Sequence, residues 1–403
     1  MIDRRTLLIA SAASLMAGTV RAAAATARDE ALKALLDRIQ AALPAPGPGA
    51  AHAFEEGGRM LRAFDPAGLS PMRRREREAA TLGLFREARA TSGYGDTLSL
   101  ALGKTVDPAA AHRAAEAEAA RLQARADALL RGQGLAGGTV GERFARLFAD
   151  ERWLYGDDDA GRDQAVAAMN AWQARIRPRL APAFGDLAIP PADARRMSAA
   201  DAAKGRGGYR EAGTFDKPGA YYVDLKAIRA RPRWTLPAVV HHELIPGHLL
   251  QLPYQAAADP HPLRLRYAKA YFEAWGVYAE QLASDLGLMK DEPLYEIGAL
   301  HWRLFRLARI VADIGLGAMG WSQDQAVDAM RRIQGPRVAF VDIPADVERM
   351  AREPAAYAAQ GLGALAFARL RAGRKWPAYH RAMLESGPWP FFTLGVIAGA
   401  APR

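Results

Sequence analysis

Apolar residues recur at helical spacing along most of the chain. Ala31, Leu35, Ile39 and Leu43 fall four apart and predict a helix from about Arg28. Ser70-Pro71, an N-cap followed by a first-turn proline, opens a second predicted helix that runs to Gly93. Asp107-Pro108 opens another, rich in Ala, Glu and Arg and ending near Gly132. Thr139 and Glu142 form a capping box ahead of Phe144, Leu147 and Phe148. His112 sits on a mostly charged helical face, as a solvated or satisfied side chain. Asp157-Asp158-Asp159 lacks the spacing of a calcium loop and suits a helix N-terminus.

The pattern changes between Ala188 and Lys217, where Pro, Gly and Ala dominate and a loop is expected. The run Ala220-Tyr221-Tyr222-Val223-Asp224-Leu225 that follows is the one convincing strand. No repeat and no polar linker divides the rest. The expectation is a mostly α chain with a small β element, residues 26–403 forming a single domain.

Residues 1–25 read differently. Arg4-Arg5, an apolar run from Leu7 to Ala17 and the small-residue tract Arg21-Ala22-Ala23-Ala24-Ala25 describe an export signal. The paired arginines are similar to a twin-arginine signal, which carries folded proteins. The apolar run is shorter than the ~20 residues that span a bilayer. The mature protein is expected in the periplasm or cell envelope, without stable membrane insertion.

Half of the 403 residues are hydrophobic, enough for a sizeable core, and there is no cysteine. Thiolate sites and disulfides are therefore excluded. The net charge of +10 raises the question of nucleic acid. The arginines are scattered singly along helical patterns, however, which describes a solvated surface rather than a nucleic-acid-binding stripe.

Three of the eight histidines fall within His241-His242-Glu243-Leu244-Ile245-Pro246-Gly247-His248, on an apolar segment. Imidazoles beside a carboxylate are what a zinc hydrolase supplies: metal ligands and a base for water. Thr235 is a candidate N-cap, and Pro237 suits the first turn, so the histidines begin on a helix. His242 and His248 are six apart, which on a regular helix places them about 240° from one another. Pro246-Gly247 offers the solution, a two-residue bulge that returns His248 to the face of His242. His241 and His248 share a face, but ~10 Å of rise separates them. His241 is then a packed or substrate-facing neighbour. A third ligand is expected from a following helix, where Glu273 and Glu280 lie two turns apart on an apolar segment. Either can be the ligand, with the other orienting a histidine.

His242-Glu243-x-x-Pro246-Gly247-His248-x-x-Gln251 and Glu273-x-Trp275-x-x-Tyr278-x-Glu280 resemble the bacterial DUF885 family, itself similar to helical zinc metallopeptidases of the gluzincin type. The resemblance continues through Arg309, Asp313, Gly315-Leu316, Gly320-Trp321-Ser322, Ala326, Pro354, Gly363, His380, Leu384, Gly387 and Pro390, from about Gly93 to the end. It implies a large helical metallopeptidase-like domain with the β element beside the metal cleft. It implies His242, His248 and Glu273 as ligands to one zinc ion and Glu243 as general base. The chain departs from the family at Gly317, usually His, at Ala355-Ala356, usually Gly-Gln, and at Gln360, usually Tyr. Tyr357, one turn before Gln360, is a substitute in a different register.

The reading is a zinc-dependent hydrolase of peptide or related amide bonds. His241, Tyr278, Tyr357 and His380 are the candidate oxyanion donors, and the Tyr221-Tyr222-Val223 strand pairs with an extended substrate. Two alternatives accompany it: a degenerate metal-binding protein of the cell envelope that holds peptides without cleaving them, and a basic envelope protein bound to anionic polymer.

Overall fold

Four of the helix starts read from the sequence form as expected. In the computed structural model, which describes residues 27–45 and 49–399, the Ser70 side chain accepts from Arg73 N ahead of the helix Pro71–Arg89. Asp107 accepts from the amides of Ala109 and Ala110 to start Pro108–Gly132. Thr139 and Glu142 close both halves of their capping box, and Asp158 accepts from Gly161 N to start Asp159–Ile176. The expected export segment, 1–25, lies outside the described residues. Among the described residues no helix is long and apolar enough to cross a membrane.

One boundary differs from expectation. The helix from Pro71 stops at Arg89, because Ala90 turns extended, and Gly93 instead begins a new helix, Tyr94–Leu102. His112 is buried rather than solvated, with its ring edge-on to Trp321.

Where the sequence suggests one domain over 26–403, the contacts group the chain into two compact units. The smaller contains the helices 27–42, Ala51–Ala63 and Pro71–Arg89 together with the short helix Pro262–Arg266 from far along the chain. Its core is Leu32, Leu36, Phe54, Leu61, Leu84 and Leu263. Buried Glu76 is satisfied there by the amide of His261 at 2.9 Å and by Arg73 and Arg264.

The larger unit spans Ser92–Asp259 and Ala268–Arg403. Its central element is the helix Pro293–Ala318, which packs against Pro108–Gly132, Gln323–Gln334 and Ala356–Arg371. A helix apolar on nearly all sides is one that neighbours enclose, and Leu300, Leu304, Leu307 and Val311 are buried on it.

The molecule is mostly α with a small sheet, as the sequence suggests, but the sheet has three strands rather than one. β1 (Ala192–Arg196) pairs parallel to β3 (Gly219–Val223), and β2 (Tyr209–Glu211) pairs antiparallel to its other edge. β1 and β2 fall in the tract read as loop. Apart from Tyr209 their residues have little intrinsic strand preference, and pairing with the buried β3 decides their conformation.

Candidate metal centre

The histidine segment is two helices, not one bulged helix. Leu236–Glu243 ends where Leu244 leaves helical geometry (φ −95°, ψ −120°), and His248–Ala258 begins after Gly247 (φ −79°, ψ −133°). The Ile245–Pro246 peptide between them is cis. Thr235 makes no side-chain cap; it closes a 3-10 turn by donating to Pro232 O. Gln173 accepts from Ile245 N at 3.2 Å, and Trp275 Nε1 donates to Pro246 O at 3.0 Å, so the connection is fixed at both ends. A Cβ on Gly247 would lie 1.9 Å from His242 O, so only glycine lets the segment close against the preceding helix.

This break brings the expected ligands together. His242 Nε2 and His248 Nε2 are 3.2 Å apart, Glu273 Oε2 is 3.6 Å from the first, and Glu273 Oε1 is 3.7 Å from the second. Ligand atoms on a tetrahedral ion with bonds near 2.1 Å sit about 3.4 Å from one another. The other ring nitrogens are committed: His242 Nδ1 donates to Glu280 Oε1 at 2.8 Å and His248 Nδ1 to Gln251 Oε1 at 3.2 Å. Both Nε2 lone pairs therefore point into one space, an arrangement that repels unless a cation or proton lies between.

The charges describe the same demand. Burial opposes charge on His242, but Glu273 and Glu280 outweigh it and push its pKa up to about 9. Burial holds His248 below its ordinary value despite Glu273. Burial also opposes ionisation of Glu273, yet the two histidines keep its carboxyl well below the usual range. Glu280 is likewise held low against burial, by Arg306, which donates to it at 2.7 Å, and by His242. The residues present thus fit a divalent ion with nitrogen and oxygen ligands. Gly276 completes the fit, since a Cβ there would lie 2.7 Å from both His242 Cε1 and His248 Nε2.

The site opens into a cavity of about 210 Å³ whose walls include Glu243, Tyr221, Trp302, Phe305, Arg306 and Arg309. Glu243 is partly exposed there. Arg210 on β2, which sequence reasoning missed, reaches the same point: its guanidinium is 3.3 Å from Glu243 Oε2 and 3.6 Å from Glu273 Oε1, and its Nη1 is buried with no partner. No sequence signal marks it, because an arginine in a Gly-rich tract reads as solvated.

The four expected donors lie elsewhere. His380 Nδ1 donates to Ala183 O at 2.7 Å and its Nε2 accepts from Tyr278 OH at 2.6 Å, and burial lowers its pKa to about 3. It and Tyr278 occupy each other in the core. His241 is fully buried beside Ile245 O. Tyr357 lies under the Arg309 guanidinium, 4.7 Å from its ring centre, and reaches the cavity only through that arginine. At Gly317 the Tyr94 ring fills the space, 1.9 Å from where a Cβ would stand. Neither Gly317 nor Gln360 lines the cavity.

The family model described as "Bacterial protein of unknown function (DUF885)" matches residues 4–395, nearly the whole chain. The chain belongs to the DUF885 family. Among solved structures, this DUF885 chain is similar to a "putative lipoprotein" from Colwellia psychrerythraea, with 26% identity and a TM-score of 0.69 over 92% of this chain and 69% of that one. It shares its fold with a second protein so described, of unknown function, from Shewanella oneidensis, at 15% identity and a TM-score of 0.58 over 91% of this chain and 73% of that one. No curated protein matches the sequence.

Proposed function

We propose that this DUF885 chain is a zinc-dependent hydrolase of peptide or related amide bonds, with His242, His248 and Glu273 holding the metal and Glu243 as general base. The observation that carries the reading is the convergence of two Nε2 atoms and one carboxylate at tetrahedral spacing, with Glu243 next in sequence to a ligand and open to the cavity. A zinc ion held by these three residues would supply Lewis acidity toward water and the substrate carbonyl. Glu243 Oε2 accepts the proton of the attacking water and returns it to the leaving amine. Arg210, with an unpartnered N–H, donates to the carbonyl oxygen as charge develops on it. The neighbours described as lipoproteins and the Arg4-Arg5 leader favour an envelope or periplasmic location.

A second reading, a metal-holding protein that binds envelope peptides without cleaving them, draws on one observation. The Arg210 guanidinium pairs with both Glu243 and Glu273, and so competes for the proposed base. A peptide-library digest decides: the zinc-loaded wild type cleaves and Glu243→Gln does not. Equal cleavage by both rejects Glu243 as base, and cleavage by neither favours the second reading.

A further inference from the structure

One face of the central helix Pro293–Ala318 is unlike the rest of it. Trp302, Phe305, Arg306 and Arg309 stand at i, i+3, i+4 and i+7, which is a single helical stripe, and all four line the cavity that His242 and Glu273 also line. The stripe is half aromatic and half cationic. Its guanidinia are held in place: Arg309 lies 4.3 Å over Phe305 and is bound in bidentate fashion by Asp346 at 2.7 Å, while Arg306 lies 5.3 Å over Trp302 and donates to Glu280. Asp346 also accepts from Arg349, so this end keeps an excess positive charge. Arg306 Nε is buried with no partner.

The same cavity is lined by Phe340, whose φ of +65° is a conformation that bulky side chains rarely adopt. Its ring lies 4.2 Å beneath Arg231. A strained backbone on a site's wall is where functional side chains concentrate.

We infer that this cavity takes the C-terminal residue of its substrate, with the free carboxylate on Arg306 and Arg309 and a large apolar side chain between Trp302, Phe305 and Phe340. The inference rests on the hydrolase reading and sharpens it to a carboxypeptidase-type reaction. Water adds to the acyl carbon, the amide C–N bond breaks, and the proton passes to the amine, releasing one apolar amino acid.

Calorimetric titration of the zinc-loaded Glu243→Gln chain, in which turnover is removed, tests it by binding. N-acetylphenylalanine should bind at least ten-fold more tightly than N-acetylphenylalaninamide or N-acetylglycine. Arg309→Gln should abolish the preference for acid over amide. Phe340→Gly, which relieves the left-handed strain and so keeps the fold, should abolish the preference for phenylalanine over glycine and leave the acid preference intact. Should Arg309→Gln fail to fold, the comparison of acid with amide still decides. Equal binding of acid and amide, or no binding of any probe, overturns the inference. Acid-selective binding without peptide cleavage by the wild type leaves the C-terminal-residue site standing and sinks the hydrolase reading together with the carboxypeptidase step. Equal cleavage of free and amidated peptides does the reverse.

Discussion

His242 Nε2 and His248 Nε2 stand 3.2 Å apart although the chain leaves one helix and starts another between them. Each imidazole is turned to that point by a bond from its other nitrogen, to Glu280 and to Gln251. Zinc should therefore bind at about one ion per chain and raise the unfolding temperature, since a ligand at a thousand times its Kd stabilises by about 4 kcal/mol. His242→Ala should lose both effects. Glu280→Gln should keep the site and weaken it about 10- to 100-fold. Metal analysis with differential scanning fluorimetry reads both, and unchanged affinity in His242→Ala would rule out this centre.

Arg210 approaches from the sheet, and its contribution separates from metal binding. Arg210→Gln should retain zinc and lower kcat about 10²- to 10³-fold, as loss of an oxyanion donor does. A rise in kcat would instead identify the arginine as a restraint on Glu243.

Gly276 is the position at which the Lys269–Asp285 helix touches both imidazoles. Gly276→Ala gains helix propensity but must displace one ring. The expected result is a loss of about 1–3 kcal/mol of stability together with zinc affinity. A more stable, zinc-binding variant would show that the contact is slack.

His301 and His380 are buried outside the candidate centre, and burial lowers their pKa values to about 4 and about 3. In the unfolded chain both take up protons below about pH 6.5, while the folded chain stays neutral until far lower. The unfolded state then binds more protons, so stability falls as pH falls from 6.5 toward 4, by about 1.4 kcal/mol per pH unit for each histidine. Urea unfolding at pH 7, 6 and 5 measures the slope, and a flat profile would contradict the burial of both.

Much of the centre is legible in the sequence because it is local chemistry. Two histidines, a neighbouring glutamate and a Pro-Gly between them announce a metal and a required change of direction. The form of that change is not legible: a bulge and a break both satisfy the spacing, and the choice falls to Gln173 and Trp275, 72 and 29 residues away from the atoms they hold. His380 reads as a donor for the opposite reason. Its residue type is reactive, but only the fold shows that Tyr278 and Ala183 consume both nitrogens.

The sequence by itself determined most of the helices, the caps at Ser70, Asp107, Thr139 and Asp158, and the two histidines and glutamates of the centre, since propensity, capping and ligand chemistry act over a few residues. Only the tertiary structure decided which charges accompany them. Arg210 arrives on a strand that exists because β3 pairs with it, and Trp302, Phe305, Arg306 and Arg309 line the cavity beside the candidate centre because the helix Pro293–Ala318 is packed among its neighbours. Both outcomes depend on contacts between distant segments, whose energies no local pattern encodes.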